Sequence, residues 1–235
     1  MKEKLKKIRT LGTFYLPEQT LDHLKKIRSD ELKTALQFFP PRGAVLEIGA
    51  GTGWQALALK DMGYDVDAID LAISNLKGAR IYPVLDYDGE KIPFEDNRFD
   101  VVFSSNVFEH IPHIDELQCE IQRVLKPGGR MVCILPSSSW RFWDMFSSMV
   151  RWWHLPSSHG EHAKNAFVEI YYFRRGWWKR IFSRTGWHIE DLKSNDLFYT
   201  GAALMDGRWG IGWRKKLSRF LGGSCNIFYL RYFKG

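Results

Sequence analysis

Hydrophobic positions along the first half of the chain fall into two alternating rhythms. Leu21, Leu24, Ile27, Leu32, Leu36 and Phe39 recur mostly at three- to five-residue intervals, which predicts one buried helix face over residues 18–39. Pro40-Pro41 ends that helix, because proline cannot continue the hydrogen-bond ladder. A short apolar strand follows at 44–48, then a glycine turn, then a helix over 55–62 stopped by Gly63. Residues 65–69 form the next strand, which ends in Asp70, and a helix is expected through Leu76 and Ala79. Further strands are expected at 83–85, 100–104 and 130–135. Leu117, Ile121 and Val124 mark a helix over 114–124, and Lys126-Pro127-Gly128-Gly129 marks a tight turn. Short apolar strands alternating with helices predict an α/β fold, a parallel sheet covered on both faces. Ligands of such sheets bind off the carboxyl ends of the strands.

The second half has a different texture. Residues 140–155, WRFWDMFSSMVRWWHL, place Phe142, Phe146, Met149 and Trp153 on one helical face, with Trp143 and Val150 beside them. Arg141, Asp144, Ser147, Ser148 and Arg151 occupy the opposite face. A helix is expected over 170–185, ended by Gly186, then strands at 187–192 and 225–233, with 195–224 as a peripheral insertion. Nine of the ten tryptophans lie at or after Trp140, so the two halves answer to different demands.

Composition is that of a globular protein, 45% hydrophobic and 26% charged over 235 residues. Its three cysteines, Cys119, Cys133 and Cys225, are widely separated, which fits a reducing, cytosolic setting better than a disulfide framework. The N-terminal run MKEKLKKIRT has no apolar stretch behind it, so no secretory signal is expected, and no apolar run is long enough to span a membrane. Net charge is +7, with five basic residues in the first nine and seven basic but no acidic residues from Gly207 to Gly235. That balance favours an anionic partner without choosing among lipid, nucleic acid and phosphorylated substrate.

The glycine turn narrows the chemistry. In Val45 to Trp54, VLEIGAGTGW, Gly49 and Gly51 fill the first two places of a dinucleotide fingerprint, but the third falls on Trp54, which would push the helix away. No Lys-Ser/Thr pair follows, so the turn is not a P-loop. Glu47 would set a carboxylate beside a pyrophosphate, whereas it would welcome a cationic amino group. S-adenosyl-L-methionine, with an amino-acid end, a sulfonium and no phosphate, meets that description. From 41 to 136 the chain resembles the class I S-adenosylmethionine-dependent methyltransferases, in the methyltransferase type 11 or ubiquinone-biosynthesis-like branch. The likeness rests on VLEIGAGTG, on Asp70 seventeen positions after Gly53, on Asp88 in DYDGEKIPF, on Asn106 in SSNVFEHI, and on Leu125-Lys126-Pro127-Gly128-Gly129.

The resemblance implies a Rossmann-like, seven-stranded, mostly parallel sheet with helices on both faces and an antiparallel last strand. It implies a cofactor set of Glu47, Gly49, Ala50, Gly51, Gly53, Asp70, Leu71, Asp88 and Asn106. Asp70 would hold the ribose hydroxyls, Asp88 would approach the adenine amino group, and Asn106 would face the methionine end. Ala72 departs from the hydroxyl common after the ribose-binding acid. The family's N-P-P-Y signature for amide or amine nitrogens is absent at Asn106-Val107-Phe108-Glu109, which leaves oxygen, carbon and ordinary amines as acceptors.

One domain over 1–235 is expected: a helical extension (1–40), a cofactor-binding half (41–136), a substrate-side insertion (137–173) and a sheet-completing segment (174–235). His110, His159 and His162 are the candidate general bases, and Trp140, Trp143 and Trp153 the candidate substrate contacts. No metal site is expected, since His159 and His162 stand at i, i+3 with no third ligand nearby in sequence. The aromatic helix could pack on the core or a second copy, cover a bulky or sugar-like substrate, or lie in a membrane interface with arginines toward phosphates. The favoured reading is O-methylation of a cell-envelope glycan, lipid-linked sugar or related small molecule. It would occur in the cytoplasm, at the inner face of the membrane if the anionic surface is engaged. The alternatives are a quinone or natural-product methyltransferase, a nucleic-acid methyltransferase relative (disfavoured, as no RNA-binding module is present), and a non-catalytic cofactor-binding regulator.

Overall fold

The computed structural model describes residues 18–153, 156–201 and 210–233. The basic N-terminal run, His154 and residues 202–209 of the expected insertion lie outside them. Seven strands form one sheet in the order β3-β2-β1-β4-β5-β7-β6. They are β1 (Ala44–Ile48), β2 (Asp65–Leu71), β3 (Leu85–Tyr87), β4 (Phe99–Ser105), β5 (Leu125–Pro136), β6 (His188–Ser194) and β7 (Cys225–Arg231). Strands β1 to β5 pair in parallel, while β7 slots between β5 and β6 antiparallel to both. The expected Rossmann-like sheet with an antiparallel last strand is therefore present. The order reverses at β1, and the crevice off β1 and β4 is where such a sheet takes its ligand.

Alternation along the central strands divides the core in two. Leu46, Ile48, Val102, Met131 and Phe228 point to one face, where α3 (Ile114–Val124) and α6 (Arg175–Arg184) pack through Leu117, Ile121, Trp178 and Phe182. Val45, Val101, Val132, Ile227 and Tyr229 point to the other. There α1 (Glu18–Ala35) and α2 (Trp54–Asp61) cover them with Leu32, Ala35, Ala56 and Leu59. Each such side chain contributes about 1.5–3 kcal/mol on burial.

Four elements depart from the sequence pattern. The helix expected through Leu76 and Ala79 shrinks to one 3-10 turn, Lys77–Ala79. Only residues 72–84 join β2 to β3, Gly78 and Pro83 interrupt them, and Ile81 N–H donates to Thr52 O at 2.8 Å, so the segment folds across the glycine turn. The third strand accordingly sits two residues later than expected. The helix expected over 170–185 is two, α5 (Ala166–Tyr172) and α6, broken at Phe173-Arg174. The insertion at 195–224 is not merely peripheral. Leu197, Phe198 and Tyr199 are buried, and α7 (Ile211–Leu221) closes over them through the buried Arg214, which donates to the carbonyls of Phe198 and Tyr199.

The fourth departure concerns the aromatic helix, α4 (Ser138–Trp152), capped by Ser137 Oγ accepting from Trp140 N–H at 3.0 Å. Its polar face is the inner one. Arg141 and Ser147 are each 1% exposed, while Phe142 (51%), Phe146 (49%), Val150 (63%) and Trp153 (89%) face outward. Partners make this possible: Arg141 pairs with Asp144 at 2.8 Å and Glu169 at 2.7 Å and donates to Ser157 O, while Tyr199 O–H donates to Asp144 at 3.0 Å. Among the described residues no helix is long and apolar enough to cross a membrane.

Candidate functional site

The turn after β1 is built around backbone that glycine adopts readily. Gly49 and Ala50 N–H both donate to Ile69 O, tying the turn to the end of β2. Gly51 has φ +56°, and a Cβ there would lie 2.9 Å from Leu76 Cδ1, so any side chain is strained and crowded. Gly53 (φ +76°) opens α2, whose first N–H groups point back over the turn. Asp70 braces it from β2: Oδ2 accepts from Gly51 N–H at 3.0 Å and Oδ1 from Leu71 N–H at 2.8 Å. Each carboxylate oxygen retains a lone pair for a further donor, the capacity a ribose diol requires.

Glu47 lies beneath the turn, 2% exposed, with one carboxylate oxygen unpartnered. Burial pushes its carboxyl up to about 8, against the Ala56 N–H that favours the anion, with Asp70 adding to the rise. Asp88 stands one residue past the β2–β3 register of Leu71 with Tyr87. Its Oδ1 accepts from Glu90 N–H (2.8 Å) and Lys91 N–H (3.0 Å), which hold the carboxyl below its ordinary value. Gly49, Ala50, Gly51, Gly53, Asp70, Leu71 and Asp88 therefore stand together at the carboxyl ends of neighbouring strands, with Glu47 buried beneath them.

Beside this crevice, off β4 and β5, is a cavity of about 290 Å³ lined by Arg28, Asn106, His110, Trp140, His159 and Thr200 among others. The sequence brings four of these forward as candidates, and the fold unites them. Asn106 (φ +55°) hangs from the end of β4, its N–H donating to Ile134 O. Its amide lies between Ser105 and Arg28, and with its carbonyl turned toward Arg28 it accepts from the guanidinium. The Trp140 ring is 5.0 Å from that of His159, which in turn meets His110 edge-on at 4.8 Å. Burial lowers the pKa of both histidines. Glu161 opposes the shift at His110, while at His159 the facing His110 and Arg141 add to it. Both rings nevertheless remain accessible at the cavity. Cys225 also lines the cavity, but burial, with Glu31 adding, pushes its thiol well above its ordinary value. It stays neutral and is no base.

Other candidates lie elsewhere. His162 packs against Trp177 (5.1 Å) and Trp178 (6.2 Å), outside the cavity lining. Trp143 backs onto α7, its indole N–H donating to Leu221 O at 3.1 Å. Trp153 caps α4 on the outer surface. Two residues that the sequence left unremarked matter here. Arg28, one turn after Leu24, reaches the cavity from α1, fixed by Glu31 at 2.7 Å. A charge on an otherwise apolar helix face was the available signal. Glu169 is buried and accepts from the N–H groups of His159 (2.5 Å) and Gly160 (2.6 Å), which holds the histidine loop against α5. Nothing local marks it.

Residues 46–133 match the model of a methyltransferase domain. The ubiquinone/menaquinone biosynthesis C-methyltransferase UbiE of Burkholderia mallei is 31% identical over 173 residues, 64% of this chain and 70% of that protein. The sterol 4-C-methyltransferase strm-1 of Caenorhabditis elegans is 36% identical over 97 residues, 37% of this chain but only 29% of the nematode protein. In fold, the chain is similar to an S-adenosylmethionine-dependent methyltransferase of Mesorhizobium loti (TM-score 0.58, 17% identity, 86% of this chain and 97% of that one). It is likewise similar to a protein of Pyrococcus horikoshii (TM-score 0.60, 14% identity, 97% and 99%). The family-model match and the likeness to UbiE place the chain: it belongs to the class I S-adenosylmethionine-dependent methyltransferases, in the methyltransferase type 11 and UbiE-like branch, and is an enzyme.

Proposed function

We propose that the enzyme methylates a hydroxyl of a lipid-linked polar acceptor, such as a cell-envelope glycan or lipid-linked sugar, presented at the inner face of an anionic membrane. The outward apolar face of α4 carries this reading. The helix that brings Trp140 to the cavity also offers Phe142, Phe146, Val150 and Trp153 to the surroundings. Phe167, Val168 and Tyr171 of the adjoining α5 extend the face, and exposed basic residues Lys164, Arg174, Arg175, Lys179 and Arg180 lie close by in sequence. An exposed apolar band in a strongly basic stretch of chain suits a headgroup interface, with the band in the acyl boundary and cations on phosphates. The cavity's polar donors and its single indole wall suit a sugar-sized hydroxylated group better than a bare ring system.

Methyl transfer from a sulfonium asks chiefly for alignment. Asp70 and the glycine turn would fix the donor, Asn106 would orient its methionine end, and Trp140, Arg28 and the histidines would set the acceptor in line. His110 or His159, held neutral, can take the hydroxyl proton.

The likeness to UbiE favours a second reading, carbon methylation of a quinone precursor. Incubation of the enzyme with methyl-labelled cofactor and fractionated cell extract tests both. Label in a glycolipid fraction, released by hydriodic acid as methyl iodide, supports the first, since that reagent cleaves O-methyl but not C-methyl groups. Acid-stable label in quinones supports the second, and label in RNA alone defeats both.

A further inference from the structure

Glu109, His110 and His159 converge at the edge of the cavity, although the last is far from the other two in sequence. Their ligand atoms all lie within 4.8 Å of one another, and His110 Nε2 is 3.7 Å from Glu109 Oε1. Glu109 is fully buried, yet neither of its carboxylate oxygens makes a hydrogen bond. A buried carboxylate normally finds donors, so its two bare oxygens, one of them 3.7 Å from His110 Nε2, need an explanation.

We propose that Glu109, His110 and His159 form a binding site for one divalent first-row transition ion of the Zn²⁺ class, open toward the acceptor cavity. Two imidazoles and a carboxylate are borderline donors that suit Zn²⁺, Co²⁺, Fe²⁺ or Mn²⁺, whereas Mg²⁺ and Ca²⁺ favour all-oxygen shells. Ligands about 2.0–2.1 Å from a tetrahedral ion stand about 3.4 Å apart. The widest separation must therefore close by a little over 1 Å, within reach of a rotation of the partly exposed His159 ring. The backbone is already fixed for this. Glu169 clamps the N–H groups of His159 and Gly160, and Glu161 N–H donates to Glu109 O at 2.9 Å. Arg28, the nearby cation, is engaged by Glu31 at 2.7 Å.

Three protein ligands leave a position for the acceptor, the arrangement of catalytic rather than structural sites. With the ion bound, His110 and His159 are ligands and no longer bases, so an acceptor hydroxyl there would lose its proton to solvent at the cavity mouth. Its oxygen would then form the new bond to the methyl carbon as the carbon–sulfur bond breaks, leaving the electron pair on a neutral thioether. Only this last role rests on the oxygen-acceptor reading; the site itself rests on its geometry.

The test uses tag-free, full-length protein stripped with chelator and titrated with Co²⁺ and Zn²⁺. It is followed by calorimetry, by the Co²⁺ visible spectrum and by dialysis for stoichiometry. One equivalent should bind, with a tetrahedral or five-coordinate Co²⁺ spectrum. His159→Ala and Glu109→Gln should each weaken binding at least tenfold, while His188→Ala on β6 should not. S-adenosylhomocysteine binding reports folding of each variant, and His159→Ala carries the test if Glu109→Gln fails to fold. Sub-stoichiometric binding by the wild type, or undiminished binding by folded His159→Ala, overturns the site. Because no acceptor is present, the result is independent of the labelled-extract experiment.

Discussion

Replacing Glu47 by Gln should remove a pH dependence of cofactor binding that the wild-type protein shows between pH 6 and 8. Burial under the glycine turn pushes the Glu47 carboxyl up to about 8, so in the free enzyme at pH 7 it is about nine-tenths protonated. Ionising it there costs about 1.4 kcal/mol, since one unit of pKa corresponds to 1.36 kcal/mol. The α-amino group of the cofactor is a cation below about pH 8. If it draws Glu47 into the anionic form, binding releases a proton, and apparent affinity climbs about tenfold per pH unit up to that pH. The whole gain from pH 6 to 8 is about 25-fold, because half of the ligand's ammonium has lost its proton by pH 8, and above that pH the curve flattens.

Calorimetry with S-adenosylhomocysteine, in buffers of different ionisation enthalpy, reads affinity and protons together. About 0.9 proton should leave at pH 7 in the wild type and none in Glu47→Gln, whose affinity should be flat over the same range. A flat wild-type profile without proton release, or a variant that keeps both, would refute the reasoning and leave Glu47 as a helper of α2 alone. Stability supplies an independent check with a definite sign. A carboxyl whose folded pKa is raised favours the folded state below its ordinary value of 4.5, and loses that advantage as pH rises through about 8. Glu47→Gln should therefore stabilise the free enzyme by up to about 5 kcal/mol at pH 8.5 but only about 1 kcal/mol at pH 5, read as the change in denaturation midpoint.

Gly51→Val should abolish S-adenosylhomocysteine binding while the protein stays folded, because a β-branched residue is strained at φ +56° and its side chain must displace the tip of Leu76. Asp70→Ala should weaken the same binding at least tenfold, and undiminished calorimetric binding in both variants would sink the cradle assignment. Glu169→Gln should lower stability by about 1–3 kcal/mol in urea titrations, because the buried Arg141 loses one of its two carboxylate partners while keeping Asp144. Equal midpoints for the variant and wild type would show that this pair holds nothing. Phe146→Ser with Val150→Ser should cut flotation on anionic vesicles at least tenfold, as about 1 kcal/mol of apolar transfer is lost from each partly embedded side chain. The melting temperature should fall only slightly, since Val150 is largely exposed and Phe146 gives up little beyond its edge contact with Trp143, and unchanged flotation would count against the membrane reading.

The cofactor side was legible in the sequence because its determinants are local. The glycines, Glu47 and Trp54 fall within ten residues, and Asp70 and Asp88 end consecutive strands whose apolar alternation sets their position. The acceptor side was legible only in part: Asn106, His110, Trp140 and His159 stood out singly, but its parts meet only across the fold. Arg28 comes from α1, Asn106 and His110 from beyond β4, and His159 from a loop held by Glu169. The failed helix at 72–84 is intermediate: its apolar spacing was visible, but the short crossover that forbids it is a property of the β2–β3 pairing.

The aromatic helix α4 shows most clearly where pattern stops and structure begins. Amphipathicity says that two faces differ, and by default the apolar one turns inward. Here Arg141 and Ser147 are buried because their needs are met by Asp144, Glu169, the carbonyl of Ser157 and Tyr199, partners found only in the folded chain. Burying a guanidinium stabilises little even when paired, while turning four large apolar side chains outward forfeits their transfer energy. Folding alone gains nothing from that exchange. It becomes favourable when an apolar phase meets the outer face, and the same helix then holds Trp140 at the cavity beside that phase. An acceptor anchored in a membrane would thus reach the donor without leaving its lipid, which is the physical reason to look for it there first.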